Sequence, residues 1–263
     1  MSTGGQRPRR GRADADLVRT VRASLAAAGD PERAAGQQRY MKSSMPYHGV
    51  TSPGLRATLR PILADPAYAL TDREDWGATV RELWDGATHR EERYAALALA
   101  GHRRYRQFRD VGTLPLYAYL VRSGAWWDLV DDIATHHVAP ILQADRAAVT
   151  PVVRVWATDE DLWLRRTAIL SQLPAKTDTD TELLAHCLDC NLPGSAFGSE
   201  FFIRKAIGWA LREFAKTEPR WVLDYAAARE LSPLSRREAL KHLAPEESLA
   251  GVVDLRGSRS TSE

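Results

Sequence analysis

The sequence predicts an all-α protein: a curved superhelix of tandem antiparallel helix pairs, an α-solenoid of HEAT-like repeats with a concave basic face. Three observations carry that expectation. Apolar residues recur at helical spacing nearly throughout, while runs of alternating β-branched and aromatic residues are almost absent. Gly, Pro, Ser and Asp breakers divide the chain at short intervals. One polar residue set before a small or apolar stretch returns five times at nearly even steps, and a period of that size belongs to stacked helix pairs.

The chain opens on MSTGGQRPRRGRA, which carries Arg7, Arg9, Arg10 and Arg12 among Gly, Pro and Ser. Residues 1–13 read as a disordered, arginine-rich arm. Breaks then follow at Gly29-Asp30-Pro31, Thr51-Ser52-Pro53, Asp65-Pro66, Gly112 to Pro115, Ala139-Pro140, Thr150-Pro151, Asn191 to Gly194, Glu218-Pro219 and Ser232-Pro233. Several place Ser, Thr or Asp ahead of Pro, as an N-cap ahead of the first helical residues. About a dozen helices of roughly 8 to 18 residues result. The recurring residues are Arg93 in EERYAALALA, Asp131 in WWDLVDDIA, Arg166 in LWLRRTAIL, Lys205 in FFIRKAIGWALREF and Arg237 in LSRREALKHL, at steps of 38, 35, 39 and 32 residues. Four are cationic, and Asp131 alone reverses the sign. Residues 14–254 read as a single repeat domain, and 255–263 (LRGSRSTSE) as a disordered tail.

A chain of 263 residues is long enough to bury roughly 70 to 75% of its unfolded surface. With 44% hydrophobic and 27% charged residues it is an ordinary folded composition. Setting aside the four arginines of the arm takes the net charge from +2 to −2, so a basic face must come from segregating charges. The opening lacks the apolar run of a signal peptide, and no stretch approaches the ~20 apolar residues that span a bilayer. A cytoplasmic monomer without membrane contact is expected. Cys187 and Cys190, in AHCLDCNLPG, have only His186 close by; a zinc site needs two further ligands, so two reduced thiols and no metal are expected.

Two helices repay reading at 100° per residue. From Phe201 to Lys216, Ile203, Ile207, Ala210 and Phe214 form one stripe, while Lys205, Trp209, Arg212 and Lys216 form a second, roughly opposite. An indole between three cations suits a nucleic-acid strand, with cations on phosphates and the flat ring beside sugar or base. Packing of Trp209 on a neighbouring repeat, with the cations as a solvated face, explains the pattern equally well. In the helix beginning near Ala125, Trp126, Leu129, Val130 and Ile133 share the core side, and Trp127 and Asp131 stand together on its flank.

An exposed indole beside one acid in a basic groove fits a polyanion with a positive charge at its reacting centre. Alkylated DNA meets that description, because a purine methylated on a ring nitrogen is cationic and its glycosidic bond breaks through an oxocarbenium-like sugar. A carboxylate can stabilise that sugar and orient water. The competing role for Asp131 is structural, as a cap on a neighbouring helix.

These residues resemble the AlkD-type DNA alkylation repair family of HEAT-like repeat glycosylases. The similarity extends over about residues 20 to 242, through RYMK at 39–42, RELWD at 81–85, WWDLVD at 126–131, WLRRTAIL at 163–170 and FFIRKAIGWALREFAKTEP at 201–219, followed by LSRREALKH. The last long motif is the most specific. The resemblance implies a catalytic cleft of Trp127, Asp131 and Trp209, lined by Tyr40, with Arg166 facing the DNA backbone. It implies excision of cationic alkylpurines such as 3-methyladenine and 7-methylguanine from duplex DNA, without metal or organic cofactor. Lys42, Lys205 and Arg212 are expected on DNA as well. The chain departs from the family pattern in its arm, in Arg165 where an uncharged polar residue is frequent, in the Cys187–Cys190 segment, and in SSMPYHGV at 43–50, which matches loosely. The alternative function is a non-catalytic scaffold that binds DNA or a protein partner.

Overall fold

The computed structural model describes residues 11–243. The arm expected at 1–13 falls outside the described residues as far as residue 10, and the tail at 255–263 lies wholly outside them. Among the described residues the chain is all-helical, as expected, with fourteen α-helices and no strand. That is consistent with an α-solenoid. No helix among them is long and apolar enough to cross a membrane. The chain divides into two compact units between Arg109 and Asp110.

The first unit holds α1 (Ala15–Ala27), α2 (Pro31–Met41), α3 (Ser52–Ala64), α4 (Arg73–Asp85) and α5 (Arg90–Ala100). Four of these begin on side-chain caps: Asp14, Asp30, Thr51 and Asp72 accept from the amides of Leu17, Arg33, Gly54 and Asp75 at 2.9, 3.0, 3.2 and 2.7 Å. Each cap satisfies an amide that the helix leaves orphaned, worth about 1 kcal/mol. α1 packs on α3, α4 and α5, and α4 on α5. Leu17, Val21, Leu25, Val80, Leu83, Trp84, Ala96 and Leu99 are buried between them, and each large one contributes roughly 1.5 to 3 kcal/mol. The 43–50 segment closes against the start of α2. There Gly49 has φ +88°, and a Cβ on it would lie 2.0 Å from the Asp30 carbonyl oxygen. Only glycine fits that turn.

The second unit runs through α6 (Leu114–Gly124), α7 (Trp127–Asp132), a π-helical turn at Ile133–Val138, α8 (Ala139–Ala144), α9 (Arg146–Trp156), α10 (Leu162–Leu170), α11 (Thr181–Asp189), α12 (Phe201–Phe214), α13 (Pro219–Ala228) and α14 (Pro233–Ala239). α10 is its hub: it touches α6, α7, α9, α11 and α12, and every residue from Leu164 to Leu170 is buried. Two breaks that the prolines suggest are absent. Pro151 lies inside α9, whose cap is Asp145, bonded to the Ala148 amide at 3.0 Å. Its ring is on the exposed side while Val149, Val153 and Trp156 are buried, so apolar burial offsets the ~3 kcal/mol that an interior proline costs. At Ala139-Pro140 the backbone stays helical from Asp132 into α8 through the π turn.

Candidate active site

Asp131 sits in the last turn of α7 and Arg166 in the middle of α10. Arg166 grips the carboxylate with two parallel hydrogen bonds, Nε to Oδ1 at 2.7 Å and Nη2 to Oδ2 at 2.8 Å. Its remaining terminal nitrogen donates to the Phe202 carbonyl at the start of α12, and the guanidinium stands 5.9 Å from the Phe202 ring centroid. One arginine thus ties α7, α10 and α12 together. Its side chain is only 6% exposed, against 15% for Asp131. Arg166 is the residue expected to face the DNA backbone; here its guanidinium is buried and committed to a carboxylate and a carbonyl. It holds Asp131 in the bidentate geometry that arginine alone offers.

Burial pushes the Asp131 carboxyl above the ordinary aspartate value, against the lowering pull of Arg166, and the neighbouring Asp128 and Asp132 add to the rise. Asp132 moves the other way. Burial raises it too, but hydrogen bonds and charge from His137 and His136 outweigh burial. Two adjacent acids thus have environments that shift them in opposite directions. The π turn that follows Asp132 is a form often found at functional sites, and nothing in the sequence pattern foretold it.

α7 starts at Trp127, two residues later than the expected start near Ala125. Ala125 adopts the left-handed region (φ 40°) and Trp126 is extended, ahead of the first helical residue Trp127. Trp127 and Asp131, four apart in α7, share a face, and both are half-buried. Trp126 is not a core residue as expected. It is half-buried, its ring centroid 5.4 Å from Phe202 and 6.1 Å from Trp163, and its indole N–H is buried without a hydrogen-bond partner. Trp163 and Phe202 lie 5.0 Å apart, with the exposed Phe201 5.4 Å beyond. This aromatic group adjoining Arg166 escaped the sequence reading. Its only signal is the recurrence of rings in WLRR and FFIR, which helical periodicity assigns to core.

On α12 the buried stripe of Ile203, Ile207, Ala210 and Phe214 is as read. The opposite stripe is less open than expected. Trp209 is half-buried, and Glu238 of α14 bridges Lys205 at 3.0 Å and also Arg212. The Lys205 hydrogen bond is the main influence holding the Glu238 carboxyl below the ordinary value. Lys205 and Arg212 thus carry a protein counter-charge, and Lys216, exposed at the end of the stripe, pairs with Glu213 at 2.6 Å. In the first unit, Tyr40 lies in the last turn of α2 with 77% of its surface exposed, and Lys42 caps the helix in the left-handed region, φ 49°. Arg237 is exposed on α14, and Arg93 lies over the Trp84 ring at 5.0 Å.

Arg165, the neighbour that departs from the family pattern, points away from Asp131. It is buried on the carbonyls of Thr158 and Cys190 at 3.0 and 3.4 Å, the Asp159 carbonyl and Asn191 Oδ1 at 3.4 Å. These close the ends of α9 and α11, where a cation complements the helix dipoles. Cys187 and Cys190 are free thiols near the end of α11. Burial pushes Cys187 up to about 12 and raises Cys190 as well, so neither is a ready nucleophile or ligand.

The family model described as DNA alkylation repair enzyme matches residues 21–243. The chain belongs to that family. Among solved structures it is similar to one titled "Predicted DNA alkylation repair enzyme from Enterococcus faecalis", with 30% identity and a TM-score of 0.72 over 82% of this chain and 97% of that one. Comparison with curated proteins finds no match. Membership in the DNA alkylation repair enzyme family gives this chain a role in alkylation repair, with DNA as its partner.

Proposed function

We propose that this family member is a monofunctional DNA glycosylase that hydrolyses the N-glycosidic bond of cationic alkylated purines, such as 3-methyladenine and 7-methylguanine, in duplex DNA. The observation that carries the reading is the Asp131 carboxylate, clamped by a buried arginine, partly open to solvent and one helical turn from Trp127. As the base departs, positive charge grows on the sugar. A fixed carboxylate stabilises that charge with no reorganisation and orients the attacking water. Trp127 and Trp209 supply ring faces for a cationic base or sugar. Lys205 and Arg212 meet phosphate by exchanging Glu238 for it, and Tyr40 and Lys42 are contacts from the first unit. Arg166 acts through Asp131. A cytoplasmic monomer needing no metal for base release completes the proposal.

Asp131→Asn tests it, because the amide keeps an acceptor for Arg166 but removes the charge. On methylated duplex DNA, affinity stays near that of the unaltered protein while release of 7-methylguanine falls at least about a hundredfold. Base release at the original rate would remove Asp131 from the mechanism. Unaltered protein that binds methylated DNA and frees no base would instead support the non-catalytic scaffold.

A further inference from the structure

We propose that His48, His89 and Glu92 in the first unit form a binding site for a first-row divalent metal ion such as Zn²⁺, separate from the chemistry at Asp131. The three supply one ligand atom each, all within 4.8 Å of one another. Glu92 Oε1 lies 3.2 Å from His48 Nε2 and 3.6 Å from His89 Nδ1. Bonds of about 2.0 to 2.1 Å in a tetrahedral shell put ligand atoms about 3.3 Å apart, so these spacings bracket the edge of such a shell. Two imidazoles with one carboxylate suit Zn²⁺ or Co²⁺ rather than Ca²⁺ or Mg²⁺, which prefer all-oxygen sites.

The surroundings hold the ligands in place. The buried Glu91 carboxylate accepts the amides of His48, Gly49 and Val50 at 2.9, 2.9 and 3.0 Å, which fastens the loop bearing His48 onto the first turn of α5. Glu92 Oε2 accepts the Thr88 amide at 3.1 Å and pairs ionically with Arg22, Nε at 3.2 Å, while Oε1 faces the histidines. That division of one carboxylate between a metal and supporting donors is how outer-shell partners orient a ligand. The Thr88 hydroxyl spans Glu92 Oε1 and His89 Nδ1, both at 3.0 Å. The two rings stack at 3.7 Å and 13°, so one must swing to bring its lone pair onto the ion. His89, 32% exposed against 11% for His48, has the room, and its open side leaves a fourth position for water. Each imidazole would bind through the lone pair of one ring nitrogen and keep its N–H on the other. The ion would link the 46–50 loop to α5.

The full chain, first stripped with a chelator, is titrated with Zn²⁺ by calorimetry and with Co²⁺ by visible absorption. One saturable site is expected, weakened at least tenfold by His89→Ala and by Glu92→Gln, and retained in the Cys187→Ser/Cys190→Ser double variant. Circular dichroism confirms that each variant is folded. No stoichiometric uptake, uptake unaffected by His89→Ala, or uptake lost with the cysteines would each overturn the site.

Discussion

At the scale of single residues, the decisive feature is that Asp131 and Arg166 define each other. A half-buried carboxylate left alone would protonate, and a buried guanidinium left alone would be strongly destabilising; paired bidentately, each makes the other tolerable. The rise in the Asp131 pKa caused by burial has a readable sign. The folded chain binds this proton more tightly than the unfolded chain, so the group favours folding at low pH and loses that contribution as pH rises through its folded value. If base release needs the ionised form, its acid limb lies above the ordinary aspartate value of 3.8. Arg166→Met removes the lowering influence and should move that limb to still higher pH, which a pH profile of 7-methylguanine release measures. A variant that lost activity equally at every pH would show that Arg166 does not act through the Asp131 charge. The sequence told of Asp131 by its sign alone. It could not tell that Arg166 points inward, because side-chain periodicity gives a face and not a partner.

At the scale of elements, α12 shows local pattern and tertiary contact dividing the work. Its buried stripe was legible at 100° per residue because apolar burial is a property of the helix itself. The fate of its cationic stripe was not, because that depends on α14. Gly208 admits α14: a Cβ there would lie 2.5 Å from Glu238 Cβ and 3.0 Å from the Ser235 carbonyl oxygen. Gly208→Ala is therefore expected to destabilise the second unit by about 1 to 3 kcal/mol through overpacking, although alanine favours an isolated helix by about 1 kcal/mol. Thermal unfolding measures the difference, and an unchanged or raised midpoint would mean that α14 is free to move aside. α9 and the α7–α8 path teach the complementary lesson. Proline signals a break only where burial on the other face is too small to hold the helix through it.

At the scale of the whole molecule, the small net charge of +2 leaves DNA binding to a few local cations. If Lys42, Lys205 and Arg212 each meet one phosphate as proposed, the slope of log affinity against log salt is near −2.7, a loss of about fortyfold between 50 and 200 mM. A fluorescence-anisotropy titration of duplex DNA across that range checks it. Affinity that does not change with salt would dismiss the phosphate role of these residues.

The sequence by itself determined the all-helical class, the caps at Asp30 and Thr51, the apolar face of α12 and the family. These are fixed by neighbours within a few residues or by an ordered run of motifs. Tertiary structure alone decided that Arg166 faces Asp131, that Glu238 reaches across to Lys205 and Arg212, that Trp126 leaves the core, and that two histidines 41 positions apart meet one glutamate. The physical reason is range. Periodic burial repeats within one helix and can be counted along the chain, whereas an ion pair or a ligand set joins residues that come together only when separate helices pack.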